Sequence, residues 1–371
     1  MKIDIQIKHV LPALEDLFLK ANLDNNSLSL WFYQLNIKGK SFNNEELNLC
    51  FNKIKQVLND SPNKNELMCI LGILLSPNSL SNLCEENEST ITSIEAQLFE
   101  YAKNQIHANK VDFENGVVPI LSYFGNTNHS FDYLSDLLNI IQQYFSYTER
   151  YQNEKELDLG FFLGQSGLLI ALMNVLNKFK LDRRIYSNVK EIAGNIEARI
   201  EQIVNNIIPV GEMAGLVTFF PESIGQHDDI LTISNHLSWS KGDLNQVVVL
   251  YKAGCFLNNP EYTKIADRVG TYTLTRKEFE DTEINSANLK NGAAGLAMMY
   301  FSLYKGSKNE RYYDGYEFWK EQTLMMLTEP LEVEKDSENA DDFMNGLLGI
   351  LLTLRVFEEG LKPQWLKLIL L

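Results

Sequence analysis

The side chains with the clearest chemical potential lie just before the sequence Trp239-Ser240-Lys241-Gly242. His227 and His236 precede it, and Asp228-Asp229 follow His227 directly. Two imidazoles and a carboxylate are zinc ligands by type. The two histidines are nine residues apart in an apparent loop, however, which is the setting of surface and capping residues. We therefore expect no metal site from this group.

The cysteines predict neither a metal site nor a disulfide framework. None of them shows Cys-x-x-Cys spacing: they are Cys50, Cys69, Cys84 and Cys255. Small buried hydrophobic side chains are their simplest role. Cys255 lies past the end of the helix expected after Ser240, too far along for a shared metal. The first residues contain no continuous apolar stretch of the kind that signal peptides have, so we expect a cytoplasmic protein.

The composition narrows the function class. The 371 residues include 33 basic and 49 acidic side chains, for a net charge of −16, with 45% hydrophobic residues. So acidic a chain repels phosphate backbones, which argues against a nucleic-acid partner. No stretch approaches the roughly 20 apolar residues that a membrane-spanning helix needs. These values are those of a globular protein.

A glycine followed by an apolar run recurs along the chain. The six glycines are Gly72, Gly116, Gly164, Gly242, Gly292 and Gly346. The steps between them are 44, 48, 78, 50 and 54 residues. A period near 50 is typical of a repeat architecture built from helix pairs. The step of 78 indicates a longer unit with room for a seventh pair.

Two kinds of helix alternate in this pattern. The runs after the glycines are apolar on nearly every side, which predicts buried helices, whereas segments such as 131–145 are amphipathic. An open α-solenoid and a closed α/α toroid both fit this alternation. Small residues at the starts of the buried helices favour the toroid, because helix ends converge there. We predict an all-α fold: one α/α-toroid domain over residues 1–371 with six to seven helix pairs, in which residues 1–60 form an N-terminal helical extension.

Four segments, in order and spacing, resemble successive motifs of the lanthionine synthetase C (LanC) family. They are Asp158–Gly164, Trp239–Leu244, Leu289–Leu296 and Asn345–Ile350. The resemblance extends over about residues 65–360. It implies an α-toroid that acts in the maturation of ribosomally made peptides. Active members of the family close thioether rings: zinc binds a substrate cysteine as the thiolate, which adds to a dehydrated Ser or Thr.

The chain departs from the family at the residues that carry this chemistry. The three positions of the zinc ligands are occupied by Ser240, Lys290 and Asn291. Leu163 occupies the position of the family's acid/base histidine. His236 occupies the position of an arginine that lies four residues before the first zinc cysteine. A hydroxyl and an amide oxygen are poor zinc donors, and an ammonium has no lone pair. We therefore predict that zinc is absent and that no other cofactor replaces it.

These departures favour a binding or scaffold protein over an enzyme. We expect a zinc-free subunit of lanthipeptide-type maturation, with a precursor peptide, a dehydratase or both as partners. Its cavity or peptide-binding candidates are Ser240, Lys241, Asp243, Lys290 and Asn291. By the resemblance, Lys241 lies near Lys290, and the two lysines would hold an anionic peptide segment at the mouth of the ring. Solvated lysines and a helix-capping Asp243 are the simpler interpretation of the same residues.

Two other functions stay open at this point. One is a thioether cyclase with an altered, zinc-independent mechanism that uses Lys290, His236 and Asp243. The other is an α/α barrel with an unrelated role such as carbohydrate chemistry, which needs paired carboxylates. Asp158 and Asp243 are the acidic residues near the helix starts that would serve such a reaction.

Overall fold

A computed structural model describes residues 2–22, 27–76, 85–127, 131–151, 156–179, 182, 186–208, 215–225, 231–328, 340–360 and 363–371. The described part contains fifteen α-helices: α1 (Lys2–Ala21), α2 (Leu28–Asn36), α3 (Asn44–Asn59), α4 (Lys64–Leu75), α5 (Glu85–His107), α6 (Val117–Asn126), α7 (Phe131–Tyr151), α8 (Gln165–Phe179), α9 (Tyr186–Asn205), α10 (Asp243–Phe256), α11 (Pro260–Thr273), α12 (Phe279–Thr282), α13 (Ala293–Ser307), α14 (Glu310–Met326) and α15 (Leu347–Glu359). A 3₁₀ helix, Gln364–Lys367, follows. The predicted all-α class is confirmed.

Seven of these helices form a closed inner ring. In order around the ring they are α2, α4, α6, α8, α10, α13 and α15, each in contact with the next, and α15 returns to α2. The outer layer of the ring consists of seven helices: α1, α3, α5, α7, α9, α11 and α14. Closure by contact between α15 and α2 confirms the toroid, since an open solenoid leaves its two end helices apart.

The seventh helix pair does not lie in the 78-residue step that has room for it. Between Gly164 and Gly242 the described residues contain α8, α9 and two short strands, with no further helix pair. The additional inner helix is α2, near the N-terminus, and α1 packs outside against α14 and α15. The segment treated as an N-terminal extension therefore contributes helices to both layers of the ring.

One glycine of the repeat has a different role from the other five. Inner helix α4 begins after Asn63, whose side chain accepts from the N–H of Glu66, while the Glu66 carboxylate accepts from the N–H of Asn63. Gly72 lies inside this helix, where a Cβ atom would be 2.5 Å from the ring of Phe32. Gly72 is therefore required for close packing, and the capping box marks the start of the helix.

A three-stranded antiparallel sheet and the C-terminal segment complete the ring. The strands β1 (Glu156–Asp158), β2 (Ser223–Gly225) and β3 (Leu231–Thr232) pair in the order β1-β2-β3. Trp365 and Ile369 are buried, and the indole N–H of Trp239 donates to the carbonyl of Ile369 over 3.0 Å. Within the described residues, none of the helices has the length and hydropathy needed to cross a bilayer.

Candidate functional site

The loops that precede the inner helices are joined by backbone hydrogen bonds into an arc. The residue two positions before each leading glycine makes the link, and we call these five the ring-mouth residues: Glu114, Phe162, Ser240, Lys290 and Met344. The N–H of each donates to the carbonyl of the next, over 3.1, 3.3, 3.0 and 2.9 Å in that order. The repeat thus places five equivalent side chains around one end of the ring.

Side chains from α4 close this arc. The side-chain oxygen of Asn65 accepts from the N–H of Phe343 over 2.7 Å, and its NH₂ group donates to the carbonyl of Asp341 over 2.8 Å. On the other side, the ammonium of Lys64 lies 3.9 Å from the carboxylate of Glu114. The start of α4 therefore joins both ends of the arc, although it lacks the leading glycine of the other repeats.

Two of the three family zinc positions meet in this structure. The hydroxyl of Ser240 donates to the side-chain oxygen of Asn291 in a short hydrogen bond. The hydroxyl of Ser238 lies 3.0 Å from that of Ser240 and 3.5 Å from the same oxygen of Asn291. Ser238 and Ser240 are both buried. A network of hydroxyls and an amide therefore occupies the place where the family would hold its metal.

The third zinc position, Lys290, points to an aromatic ring. Its ammonium lies 3.4 Å from the centre of the Phe162 ring, and that of Lys64 lies 4.9 Å from the same centre. Both lysines thus make cation–π contacts with one buried phenylalanine. Burial lowers the pKa of Lys290, and the neighbouring charge of Lys64 lowers it further, against the opposing effect of Glu114. Lys290 is therefore a partly desolvated cation at this end of the ring.

The charge of Lys241, which the resemblance places near Lys290, is paired with an acidic residue. Lys241 forms an ion pair with Glu222 at 2.8 Å, and Lys64 is the basic neighbour of Lys290. Burial alone would raise the pKa of Glu222, but hydrogen bonds from Lys241 and Ser234 outweigh it and lower that pKa. The charge of Lys241 is therefore already balanced within the fold.

Asp243 is neither a cavity residue nor a helix cap. It is fully buried, and its carboxylate accepts from the hydroxyl of Thr218 and the N–H groups of Phe219 and Phe220. Arg276, also buried, pairs with it at 2.7 Å. The cap position of α10 is Gly242 instead. Asp243 therefore anchors the loop before β2, and Arg276 is a partner that no sequence motif indicated.

This geometry removes the carboxylate pair that a carbohydrate reaction needs. Both oxygens of Asp243 are engaged by the donors named above. The carboxylate of Asp158 accepts from the N–H of Gly160 over 2.7 Å, which holds the turn before α8. These two acids are therefore structural, and the glycosidase interpretation loses its support.

His236 and Leu163, at the family's arginine and acid/base positions, differ in exposure. His236 is buried, its Nδ1 lies 3.2 Å from the carboxylate of Glu283, and its Nε2 has no hydrogen-bond partner within the described part of the chain. Leu163 is 53% exposed. An aliphatic side chain cannot transfer a proton, so the position of Leu163 offers contact area and no acid/base chemistry.

Zinc does not fit the donors at the ring mouth. The hydroxyl of Ser240 is a weak ligand, the oxygen of Asn291 already accepts from it, and the ammonium of Lys290 would repel a cation. Elsewhere in the described residues, no three His, Cys, Asp or Glu side chains form a group suited to a metal. His227 and Asp228-Asp229 lie outside the described residues.

Comparisons with known proteins agree with this architecture. The lanthionine synthetase C-like protein family matches residues 30–370. The structure of nisin cyclase is similar, with a TM-score of 0.67 and 14% sequence identity, over 98% of this chain and 96% of that one. A search of curated proteins gave no match. At this identity the structural likeness shows the fold, while the family match covers most of the chain. This chain therefore belongs to the lanthionine synthetase C-like family.

Proposed function

We propose that this protein binds a precursor peptide of lanthipeptide-type maturation at the ring mouth, without zinc, as a binding or scaffold subunit. Membership of the LanC-like family supports the peptide pathway. The zinc-free part rests on one observation: the hydroxyl of Ser240 and the amide of Asn291 satisfy each other where metal ligands would be required. A dehydratase that acts on the same precursor is the protein partner we propose.

The ring mouth has the features of a peptide-binding surface. Lys290 and Lys64 offer positive charge beside the Phe162 ring, and the exposed Leu163 extends the apolar area. Charged and apolar groups side by side suit a peptide that carries both kinds of side chain. Because Lys241 and Asp243 are each held in an ion pair, Lys290 is the charge we expect to contact the peptide.

A zinc-independent cyclase is the second candidate, and one observation favours it. Burial and the charge of Lys64 lower the pKa of Lys290, so its neutral amine is easier to reach than that of a solvated lysine. A neutral amine could take the proton from a substrate cysteine, whose thiol has a pKa of about 8.5 and is mostly protonated at neutral pH. The thiolate would then add to the β-carbon of the dehydrated residue as its C=C π bond breaks, and the Lys290 ammonium would return the proton to the α-carbon. His236 and Asp243 do not belong to this route, because they pair with Glu283 and Arg276.

One experiment separates the two candidates. The purified protein is incubated with a dehydrated, cysteine-containing precursor, and peptide binding and free thiol are both followed. Our proposal predicts saturable binding with thiol loss no faster than spontaneous ring closure. Thiol loss above that rate, abolished by Lys290→Ala and retained by Lys241→Ala, would establish the cyclase instead. Absence of binding to any precursor would contradict both.

A further inference from the structure

The ammonium of Lys290 is a partly buried charge without a counter-ion of its own. It lies 3.4 Å from the centre of the Phe162 ring. Among the residues that the structure describes, none accepts a hydrogen bond from this ammonium, and none brings a carboxylate within ion-pair distance of it. A cation that is withdrawn from water is unfavourable unless an anion pairs with it. Lys290 therefore has N–H donors available for a bound group.

The acidic residues near Lys290 are held elsewhere. Glu114 and Asp342 are the two whose charges favour its ammonium. The carboxylate of Asp342 accepts from two backbone N–H groups of its own loop, over 2.7 and 2.9 Å. That of Glu114 lies 3.9 Å from the ammonium of Lys64, which is longer than the roughly 2.7–2.9 Å of a charge-assisted hydrogen bond. The fold thus brings two carboxylates to this region and pairs neither of them directly with Lys290.

Lys64 places a second ammonium at the same aromatic ring. It lies 4.9 Å from the centre of Phe162, so the two ammonium groups are no farther apart than the sum of the two ring distances, 8.3 Å. Burial lowers the pKa of Lys290, and the charge of Lys64 lowers it further. A carboxylate can offer one oxygen to each ammonium at about 2.8 Å, and its charge would relieve their repulsion. We call Lys64 and Lys290 the lysine pair.

The lysine pair is placed against the polarity of the inner helices. Lys64 is the first residue of α4, and Lys290 lies three residues before the start of α13. A helix N-terminus carries a partial positive charge of about +0.5, so a lysine at this end does not stabilise the helix. The two charges therefore have no stabilising role at these helix starts, which favours a role towards a ligand.

We propose that the ring mouth selects an acidic residue of the peptide, whose side-chain carboxylate binds between Lys290 and Lys64 beside the Phe162 ring. This inference rests on the function proposed above and names the feature of the peptide that the site recognises. Leu163 follows Phe162 in the chain and is 53% exposed. It offers contact area to an apolar peptide residue next to the acidic one.

The test uses two synthetic libraries of random, N-acetylated dodecapeptides, one with amidated and one with free C-termini. Peptides that bind to the immobilised protein are sequenced by mass spectrometry. In the amidated library every carboxylate belongs to a side chain. Because the net charge of −16 attracts basic peptides non-specifically, enrichment of Asp or Glu runs against that trend. We expect the bound peptides to share one Asp or Glu with an apolar neighbour.

A matched pair of variants shows whether the lysine pair is responsible. Lys64→Gln/Lys290→Gln should lose the acidic preference. Lys241→Gln/Lys264→Gln removes the same charge from lysines that have carboxylate partners, and it should keep the preference. An amidated peptide from the selection should bind the wild type about tenfold more tightly than the same peptide with an amide for the acidic residue. This ratio needs no variant, and it should fall to about one in Lys64→Gln/Lys290→Gln.

The outcomes separate this inference from the proposed function. Peptide binding without an acidic preference, in the library or in the dehydrated precursor, would overturn the inference and leave the proposed function intact. The same holds for an acidic preference that Lys64→Gln/Lys290→Gln keeps. Enrichment confined to peptides with free C-termini would also overturn it, because the carboxylate would then be that of the chain end. If neither library nor precursor binds, the proposed function is contradicted and the inference with it.

Discussion

Ser240 donates a hydrogen bond to the side-chain oxygen of Asn291, across 51 residues of sequence and between two successive repeats of the ring. The N–H of Ser240 also donates to the carbonyl of Lys290 over 3.0 Å. The three positions at which the LanC family holds zinc are therefore brought together by the fold, even though none of them carries a metal ligand. The scaffold of the family site is kept, and the side chains at its three ligand positions are different.

If that scaffold is kept, restoring the ligands should restore the metal. We predict that Ser240→Cys/Lys290→Cys/Asn291→His binds one equivalent of zinc tightly, because two thiolates and an imidazole then meet at one end of the ring. Metal analysis after dialysis against a weak chelator measures this. The matched control, Ser240→Cys/Lys290→Ala/Asn291→His, has one ligand fewer and should lose zinc. A folded triple variant without zinc would show that the loops are placed differently from those of zinc-binding members.

The buried charge of Lys290 predicts a pH-dependent stability difference. Because the pKa of Lys290 in the folded protein lies below 10.5, the unfolded chain binds its proton more tightly and stability rises with pH up to that value. We expect Lys290→Met to be more stable than the wild type at pH 7, with an advantage that shrinks as the pH approaches 10.5. Urea unfolding across this range measures it. A Lys264→Met control on exposed α11 should show no such trend, and a pH-independent difference for Lys290→Met would contradict the prediction.

The ion pair of Asp243 and Arg276 predicts a large loss of stability when one partner is removed. Both side chains are buried, so Arg276→Met leaves a carboxylate without its counter-charge. We expect the free energy of unfolding to fall by about 3–5 kcal/mol. Asp243→Leu/Arg276→Met should recover part of this, because no unpaired charge is left behind. Denaturant unfolding of the two variants checks the prediction, and a double variant that is no more stable than Arg276→Met would contradict it.

Peptide binding should depend on one lysine of the ring mouth more than on the other basic residues. We predict that Lys290→Ala weakens binding of a dehydrated precursor about tenfold, or about 1.4 kcal/mol. Lys241→Ala should have little effect, because its charge is paired with Glu222. Fluorescence titration with a labelled peptide gives both affinities. Equal losses for the two variants would place the peptide elsewhere on the ring.

The repeat pattern predicted the fold because glycines mark the starts of the inner helices. Five of the six glycines do so, and only Gly72, which packs against Phe32, has another cause. The start of α4 is marked by Asn63, whose side chain caps the helix. A pattern of glycines does not detect a helix start of this kind. The glycine pattern missed helix α2 for the same reason, because the side chain of Ser27 caps that helix.

The site was predictable only where its residues belong to the repeat. Ser240, Lys290 and Phe162 all precede a leading glycine by two positions, and this register would have placed Phe162 beside the other two. Arg276 has no such register, because it lies in a loop after α11 and reaches Asp243 across 33 residues. Long-range ion pairs of this kind depend on how two repeats pack, and a single sequence contains no periodic signal for them.

The zinc content of the purified wild-type protein tests the central claim most directly. The protein is produced in zinc-supplemented medium, freed of loosely bound metal by dialysis, and analysed by mass spectrometry for metal per chain. The hydrogen-bonded Ser240 and Asn291, with the ammonium of Lys290 beside them, predict far less than one zinc per chain. One equivalent of zinc that survives dialysis, and is lost on substitution of these residues, would contradict the account.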